Sequence, residues 1–384
     1  LAGIYIHIPF CKQACSYCDF HFSTSLKHKA DLINALVKEI ELKKNLLTSE
    51  INTIYFGGGT PSLLEINDLK LIVDSIYKNY NVANKVEFTF ECNPDDLNRE
   101  KLKELKQVDV NRLSIGTQSF FNDDLQFFNR AHNSTQAEKS ILMSQDVGFE
   151  NITIDLIYNT PTLTMQKWEQ NLDKINQLNV PHLSAYTLTV EPKTALHHQV
   201  KTKQTSLPTD EEAITQFKLL MAKTEAFGLI QYEVSNFGAA GFYSKHNSNY
   251  WKGEEYLGFG PSAHSFLQDS PFEGGERGMM RSWNVSNNLQ YIKSINEGKP
   301  YFEEEIIDEK TAYNEYVLTR LRTIWGIEKD YVQTNFSSAI NQHFNKELEQ
   351  YLKTDFLKIE KNTITLTQEG IFIADKIASD LFYV

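Results

Sequence analysis

The strongest constraint on this chain is an alternation. Short runs of strand character, Gly3–Ile8, Thr53–Phe56, Val86–Glu91, Arg112–Gly116, Ile152–Ile157 and His182–Tyr186, recur with helical stretches between them. Leu32, Ile33, Leu36, Val37 and Ile40 repeat at helical spacing after the first run, as do Leu69, Ile72, Val73 and Ile76 after the second. Each set turns one apolar stripe toward a sheet. Strand then helix about six times over, with no hairpin signal, predicts a parallel sheet with right-handed crossovers. The fold class is therefore α/β, a partial (β/α)6 TIM-like barrel with its chemistry at the C-terminal ends of the strands. After Tyr186 the repeat weakens: a Pro-initiated helix, Thr209–Phe227, leads into Gln231–Val234 and a Gly-, Tyr- and Asn-rich region reaching Gly278. That region is expected to be loop-rich and site-forming. From about Pro300 the pattern is helix Glu309–Ile324, helix Ala339–Tyr351, Phe356–Glu360, a turn at Lys361-Asn362, Thr363–Thr367 and a last helix from Gln368. This predicts a small winged-helix-like α+β domain. The expected division is 1–200 for the partial barrel, 201–299 for a barrel-completing, loop-rich substrate region and 300–384 for the winged-helix-like domain.

Charge narrows the partners. Lys and Arg number 38 against 50 Asp and Glu, a formal net charge of −12, and no basic stripe stands out. Nucleic acid is a poor partner even for a winged helix, whose expected work is packing or contact with another protein. No apolar run approaches the roughly 20 residues of a membrane span, and Leu1–Ile8 does not read as a secretory signal. Of 4 cysteines, Cys11, Cys15 and Cys18 lie within eight positions. Such clustering points to ligation in a reducing, cytoplasmic setting.

The array Cys11-Lys12-Gln13-Ala14-Cys15-Ser16-Tyr17-Cys18 directly follows the first strand. Three thiolates on one short loop can face a single inorganic centre. Structural zinc wants four ligands, so a zinc site would need His7, His21 or a distant residue as the fourth. An iron-sulfur cube held by three thiolates leaves one iron free to bind a small molecule. Idle thiols are the third option. Cys92, at the end of the third run, is expected to be a small buried hydrophobe.

Cys-x3-Cys-x-aromatic-Cys followed by Gly57-Gly58-Gly59-Thr60-Pro61 resembles the radical S-adenosylmethionine (SAM) superfamily. The likeness is closest to oxygen-independent coproporphyrinogen III oxidase and its relatives, and it spans nearly the whole chain. The resemblance implies the radical SAM fold and a 4Fe-4S cluster on Cys11, Cys15 and Cys18. The open iron of that cluster would chelate the amino and carboxylate groups of S-adenosylmethionine. A reduced cluster, supplied by an electron donor, would cleave this cofactor to methionine and a 5′-deoxyadenosyl radical. By position, Tyr5 corresponds to a tyrosine near the methionine end, and Gly57, Gly58, Gly59 and Thr60 to the backbone strip that receives the amino group. Glu91 and Gln118 match ribose contacts, Arg130 a carboxylate clamp and Asp155 a further polar contact. Tyr17 and Phe20 flank the last ligand, in a loop whose main chain reads adenine and whose aromatic packs on the cluster.

Two departures from the oxidase matter. It carries a further cysteine two positions after the third ligand, where this chain has Phe20, and a long segment ahead of its first strand, whereas here Tyr5 is preceded by four residues. Both point to a sister group, the HemW-type heme chaperones, whose His-Asn-x-x-Tyr-Trp string is matched by His246-Asn247-Ser248-Asn249-Tyr250-Trp251. An imidazole can ligate heme iron, and a Tyr-Trp pair offers flat apolar surface to a porphyrin. The resemblance thus implies heme contact at His246, Tyr250 and Trp251, with His264 secondary and expected to anchor its glycine-rich loop. The partners implied are heme, apo-hemoproteins such as respiratory enzymes, the electron donor and a second copy in a homodimer. The alternative function is a coproporphyrinogen III dehydrogenase of porphyrin biosynthesis; a zinc-bearing interaction protein is the third. Asn159-Thr160-Pro161 stands where the family usually has Gly-Leu-Pro, which leaves the shape of that loop open.

Overall fold

Along the first strands apolar and polar side chains alternate: Ile4-Tyr5-Ile6-His7-Ile8, Ile54-Tyr55-Phe56-Gly57, Phe88-Thr89-Phe90-Glu91 and Ile152-Thr153-Ile154-Asp155-Leu156. A parallel sheet covered on both faces reads as continuous apolar runs. Alternation instead gives one greasy face for helices and one polar face for a site. The computed structural model, which describes residues 1–271 and 277–384, has this arrangement. Ile4, Ile6, Ile8, Ile54, Phe56, Phe88, Phe90 and Ile154 are fully buried in one core with Leu32, Leu36, Leu69 and Ile72 of the covering helices.

The strands are β1 (Ala2–Ile8), β2 (Ile51–Gly58), β3 (Val82–Cys92), β4 (Arg112–Gln118), β5 (Asn151–Tyr158), β6 (His182–Thr187), β7 (Ile230–Glu233), β8 (Asn236–Gly238), β9 (Glu255–Phe259), β10 (His264–Pro271), β11 (Arg277–Asn284) and β12 (Phe302–Ile306). They form one sheet in the order β12-β11-β10-β9-β1-β2-β3-β4-β5-β6-β8-β7. β1 to β6 are parallel neighbours, the six strands of the partial barrel, and β9 joins β1 in parallel on its other side. Crossover helices start where their caps say. Asn98 accepts from the Lys101 amide, and Asn133 with Gln136 and Thr209 with Glu212 form reciprocal capping boxes.

The stretch expected to be loop-rich is more ordered than its composition suggests. It holds the antiparallel pairs β7–β8 and β10–β11, which the strand-helix alternation did not anticipate, and the helix Lys245–Lys252. The reason is tertiary: β9 is held by β1, and that helix by a carboxylate from β3. Positions 272–276, inside the stretch expected to run to Gly278, lie outside the described residues.

A second core, with Tyr313, Val317, Leu321, Phe344, Leu348 and Ile377, belongs to the C-terminal winged-helix-like unit. Its three-stranded antiparallel sheet is β13 (Ile327–Glu328), β14 (Leu357–Glu360) and β15 (Thr363–Leu366), in the order β13-β15-β14. Backbone bonds tie this unit to the barrel: Val234 donates to the Arg322 carbonyl and Ile324 to that of Tyr232, each at 3.1 Å. Among the described residues no helix is long and apolar enough to cross a membrane.

Candidate functional site

The cysteine loop leaves β1 at the C-terminal edge of the barrel and is fixed from three sides. Ser16 donates its amide to Phe128 (3.0 Å) and its hydroxyl to Phe127 (3.0 Å), and its carbonyl accepts from Leu196 (2.8 Å). Asn129 gives its side-chain amide to Ala14 (2.7 Å), and Gln13 gives its own to the Asn129 carbonyl (2.6 Å). Cys11 donates its amide to Ser23 at 3.0 Å. The thiols of Cys11, Cys15 and Cys18 stay half-buried, whereas Cys92 is buried with its thiol aimed at the Phe90 carbonyl. Burial pushes the Cys11 thiol up, against the Thr60 hydroxyl, and Cys18 up to about 11.

Two donors reach the sulfurs. Thr60 Oγ1 lies 3.5 Å from Cys11 Sγ, and Arg130 Nη1 lies 3.3 Å from Cys15 Sγ. Arg130 also donates through Nη2 to Asn93 Oδ1 (2.7 Å) and the Gly116 carbonyl (2.8 Å), while its Nε is buried without a partner. The expected carboxylate clamp therefore stands beside a sulfur, with one donor unspent.

The glycine strip ends β2. A Cβ on Gly57 would lie 2.9 Å from Glu91 Oε1, and one on Gly59 2.7 Å from the Ile8 and Phe10 carbonyls. Gly58 has φ +102°, and a Cβ there would strike the His7 ring at 2.5 Å. This strip is a cradle only residues without side chains can make. Under it, Tyr55 donates its hydroxyl to Glu91 Oε1 at 2.7 Å. Burial raises Glu91 to about 7, opposed by the Tyr55 hydroxyl and reinforced by Asp155; burial likewise raises Asp155 to about 6, against Arg112 and Arg130. Gln118, at the end of β4, is left-handed (φ +63°), and its amide sits with Arg130 over Gly116. Asn159 is left-handed too (φ +60°). Asparagine tolerates that region better than most side chains, so it keeps a glycine-like turn where the family usually has Gly.

Tyr5, Gly57 to Thr60, Glu91, Gln118, Arg130 and Asp155 thus gather on the inner face beside the cysteine loop. The aromatic pair of that loop divides: Tyr17 packs edge-on to Phe128, centroids 5.3 Å apart, whereas Phe20 is 68% exposed. The histidines offered for zinc are engaged. His7 bonds the Tyr5 hydroxyl (3.1 Å) and the His21 carbonyl (3.0 Å), and His21 bonds Asn288 (2.8 Å). Among the described residues no three His, Cys, Asp or Glu are grouped as ligands of a single ion. Three thiols with a guanidinium and a hydroxyl near the sulfurs, a side-chain-free cradle and a spare arginine donor suit a cluster with an amino-acid-bearing nucleotide.

The His246 string requires correction. It is the helix Lys245–Lys252, not a loop, with the Lys245 and His246 amides capped by Glu87 at 3.1 and 3.0 Å. His246 is 1% exposed, its Nδ1 bonded to Thr53 (2.9 Å) and its Nε2 to the Tyr250 hydroxyl (2.7 Å). In this arrangement it has no nitrogen for iron, and burial lowers it to about 3, so it is neutral. Tyr250 and Trp251 do not form one surface either. Tyr250 meets His246 and Tyr256 edge-on, while Trp251 lies under the Arg322 guanidinium of the C-terminal unit, 5.9 Å away. Successive helix positions point about 100° apart, which separates them.

The sequence reading passed over Tyr55, Asn93 and Arg112. Tyr55 was visible as the polar-face residue two before Gly57. Asn93 carries only a weak signal, an Asn-Pro at a strand end. Arg112 is 2% exposed and donates to Thr153 below the inner polar face, which nothing in the sequence announces.

Sequence profiles of known families match the chain twice: the Radical SAM superfamily over residues 5–175 and the HemN C-terminal domain over residues 307–373. The heme chaperone HemW of Bacillus subtilis is 33% identical over 381 residues, covering 98% of each chain. That of Lactococcus lactis is 31% identical, covering 97% of this chain and 95% of its own. The coproporphyrinogen III oxidase HemN of Escherichia coli, a radical SAM enzyme, superposes with a TM-score of 0.84 at 21% identity, covering 99% of this chain and 90% of its own.

Proposed function

Because the chain belongs to the HemW family of the radical SAM superfamily, we propose that it is a heme chaperone. It holds a 4Fe-4S cluster on Cys11, Cys15 and Cys18, takes S-adenosylmethionine against Gly57 to Thr60, and passes bound heme to apo-hemoproteins. When bound and reduced, the cluster supplies an electron to the sulfonium of S-adenosylmethionine. Every other task falls to the chain. Arg130 stabilises the Cys15 thiolate and turns its remaining donor to a carboxylate. Main chain at Gly57 to Thr60 approaches the amino group. Glu91, oriented by Tyr55, accepts from ribose hydroxyls together with Gln118, and Asp155 adds a second acceptor. Tyr5 covers the methionine end, and the 15–18 loop closes over adenine.

The observation that carries the chaperone reading is Phe20. It stands, exposed, where the oxidase resemblance calls for a cysteine, in a chain matched end to end by heme chaperones. The test is anaerobic. Reconstituted protein is titrated with heme, and the reduced protein is assayed with coproporphyrinogen III and S-adenosylmethionine. A saturable Soret complex without protoporphyrinogen IX is expected; turnover to protoporphyrinogen IX, or no saturable heme complex, defeats the proposal.

A further inference from the structure

If heme is the cargo, some side chain must meet its iron, and the following rests on that reading. His246 and His7 have both ring nitrogens engaged, and His21 one of its two. His264 differs. Its side chain is exposed at the start of β10, and among the described residues no hydrogen bond or ion pair engages its ring. The imidazole lies along the indole of Trp283, its cross-strand partner on β11, with centroids 6.3 Å apart and planes 30° apart.

This pair ends an aromatic wall. Phe266 and Tyr256 follow, 6.4 Å apart, and Tyr256 meets Tyr250 edge-on at 4.5 Å. The wall continues the cofactor face, because β9 pairs with β1 and sets Gly258 opposite Tyr5. Gly258 makes the approach feasible: a Cβ there would lie 2.0 Å from the His264 carbonyl. A Cβ on Gly260 would lie 2.5 Å from the His7 carbonyl, so the His264 loop abuts the strand that leads into Cys11. The free imidazole therefore stands beside the cofactor corner.

We propose that His264 would ligate the iron of heme and that Trp283, Phe266 and Tyr256 would pack against the macrocycle. A neutral imidazole nitrogen can ligate the iron of a planar tetrapyrrole whose face rests on flat apolar surface, and both features occur here together. His246 is then a positioning residue: it bonds Tyr250 at one end of the wall and stacks on Tyr55, centroids 4.9 Å apart, beneath Glu91.

The test is heme titration of the full chain as wild type, His264→Ala, His264→Gln, Trp283→Leu and His246→Gln, with folding checked by circular dichroism. His264→Ala and His264→Gln are expected to weaken heme binding about tenfold or more and to shift the Soret maximum, and free imidazole should restore the wild-type spectrum to His264→Ala. Trp283→Leu should weaken binding without moving the maximum. Iron-free protoporphyrin IX should respond to Trp283→Leu and not to His264→Ala. If both folded His264 variants match wild type in affinity and spectrum, or if the ligand-loss spectrum follows His246→Gln instead, the placement is overturned while the chaperone reading stands. If wild type shows no saturable heme binding, both fall.

Discussion

The protonation of one carboxyl group, Glu91, would couple the proposed ribose contact to pH. In the fold it keeps its proton to about pH 7, against an ordinary value of 4.5. Its share of stability is thus full below pH 4.5 and is lost as pH rises through 7. His7 and His246 act in the opposite sense. Lowered to about 4 and about 3 from 6.5, they contribute fully above pH 6.5 and lose that contribution as pH falls toward those values. Glu91→Gln should therefore gain melting temperature relative to wild type between pH 5 and pH 8, measured by thermal denaturation without cofactor. S-adenosylmethionine affinity of the wild type should strengthen over the same interval as the carboxylate forms, and in Glu91→Gln that pH dependence should vanish; isothermal titration reads both. Gly58→Ala forces a Cβ into the His7 ring at a left-handed position. A cost of about 1–3 kcal/mol is expected in urea denaturation, with loss of S-adenosylmethionine binding. The cysteine spacing, the glycines and Glu91 were legible because each is a residue type the chemistry demands. Arg130 against Cys15 was not, since their separation of 115 residues is closed only by the fold.

Secondary structure follows the same division. β1 to β6 could be read because period-two strands and 3.6-period helices each carry their own signal. The helix Lys245–Lys252 was harder: Ser244 and Gly253 cap its two ends locally, but Asn, Ser, Tyr and Trp are middling helix formers, and its first two amides go to Glu87, 158 residues before Lys245. Glu87→Ala should remove both charge-assisted cap bonds, lower stability by about 2 kcal/mol and loosen amide protection in Lys245–Lys252, as hydrogen exchange would reveal. The β10–β11 pairing falls outside the strand-helix alternation, and β9 and β12 hold it on either side.

Across the whole molecule, two cores meet along the seam where β7 and the helix Lys245–Lys252 touch the C-terminal unit. Trp251 under Arg322, Lys252 over Trp325 at 4.5 Å, and Tyr232 against Trp325 at 6.2 Å are among the side-chain contacts of that seam. Such cation–π contacts contribute about 0.5–1 kcal/mol each where partly exposed. Trp251→Ala should accordingly speed proteolytic release of the C-terminal unit several-fold; unchanged cleavage would separate Trp251 from the seam. The winged-helix-like order was legible in the changed texture after Pro300, but the seam was not, for it joins residues with no common motif. The stitching of the sulfur loop carries a consequence for biogenesis. Its anchors, Phe127, Phe128 and Leu196, lie more than a hundred residues downstream of Ser16. A ribosome that has released only β1 and β2 presents the thiols on an untethered thread. Under the proposed function, the thiols would reach the geometry that a cluster needs only once most of the barrel has been translated.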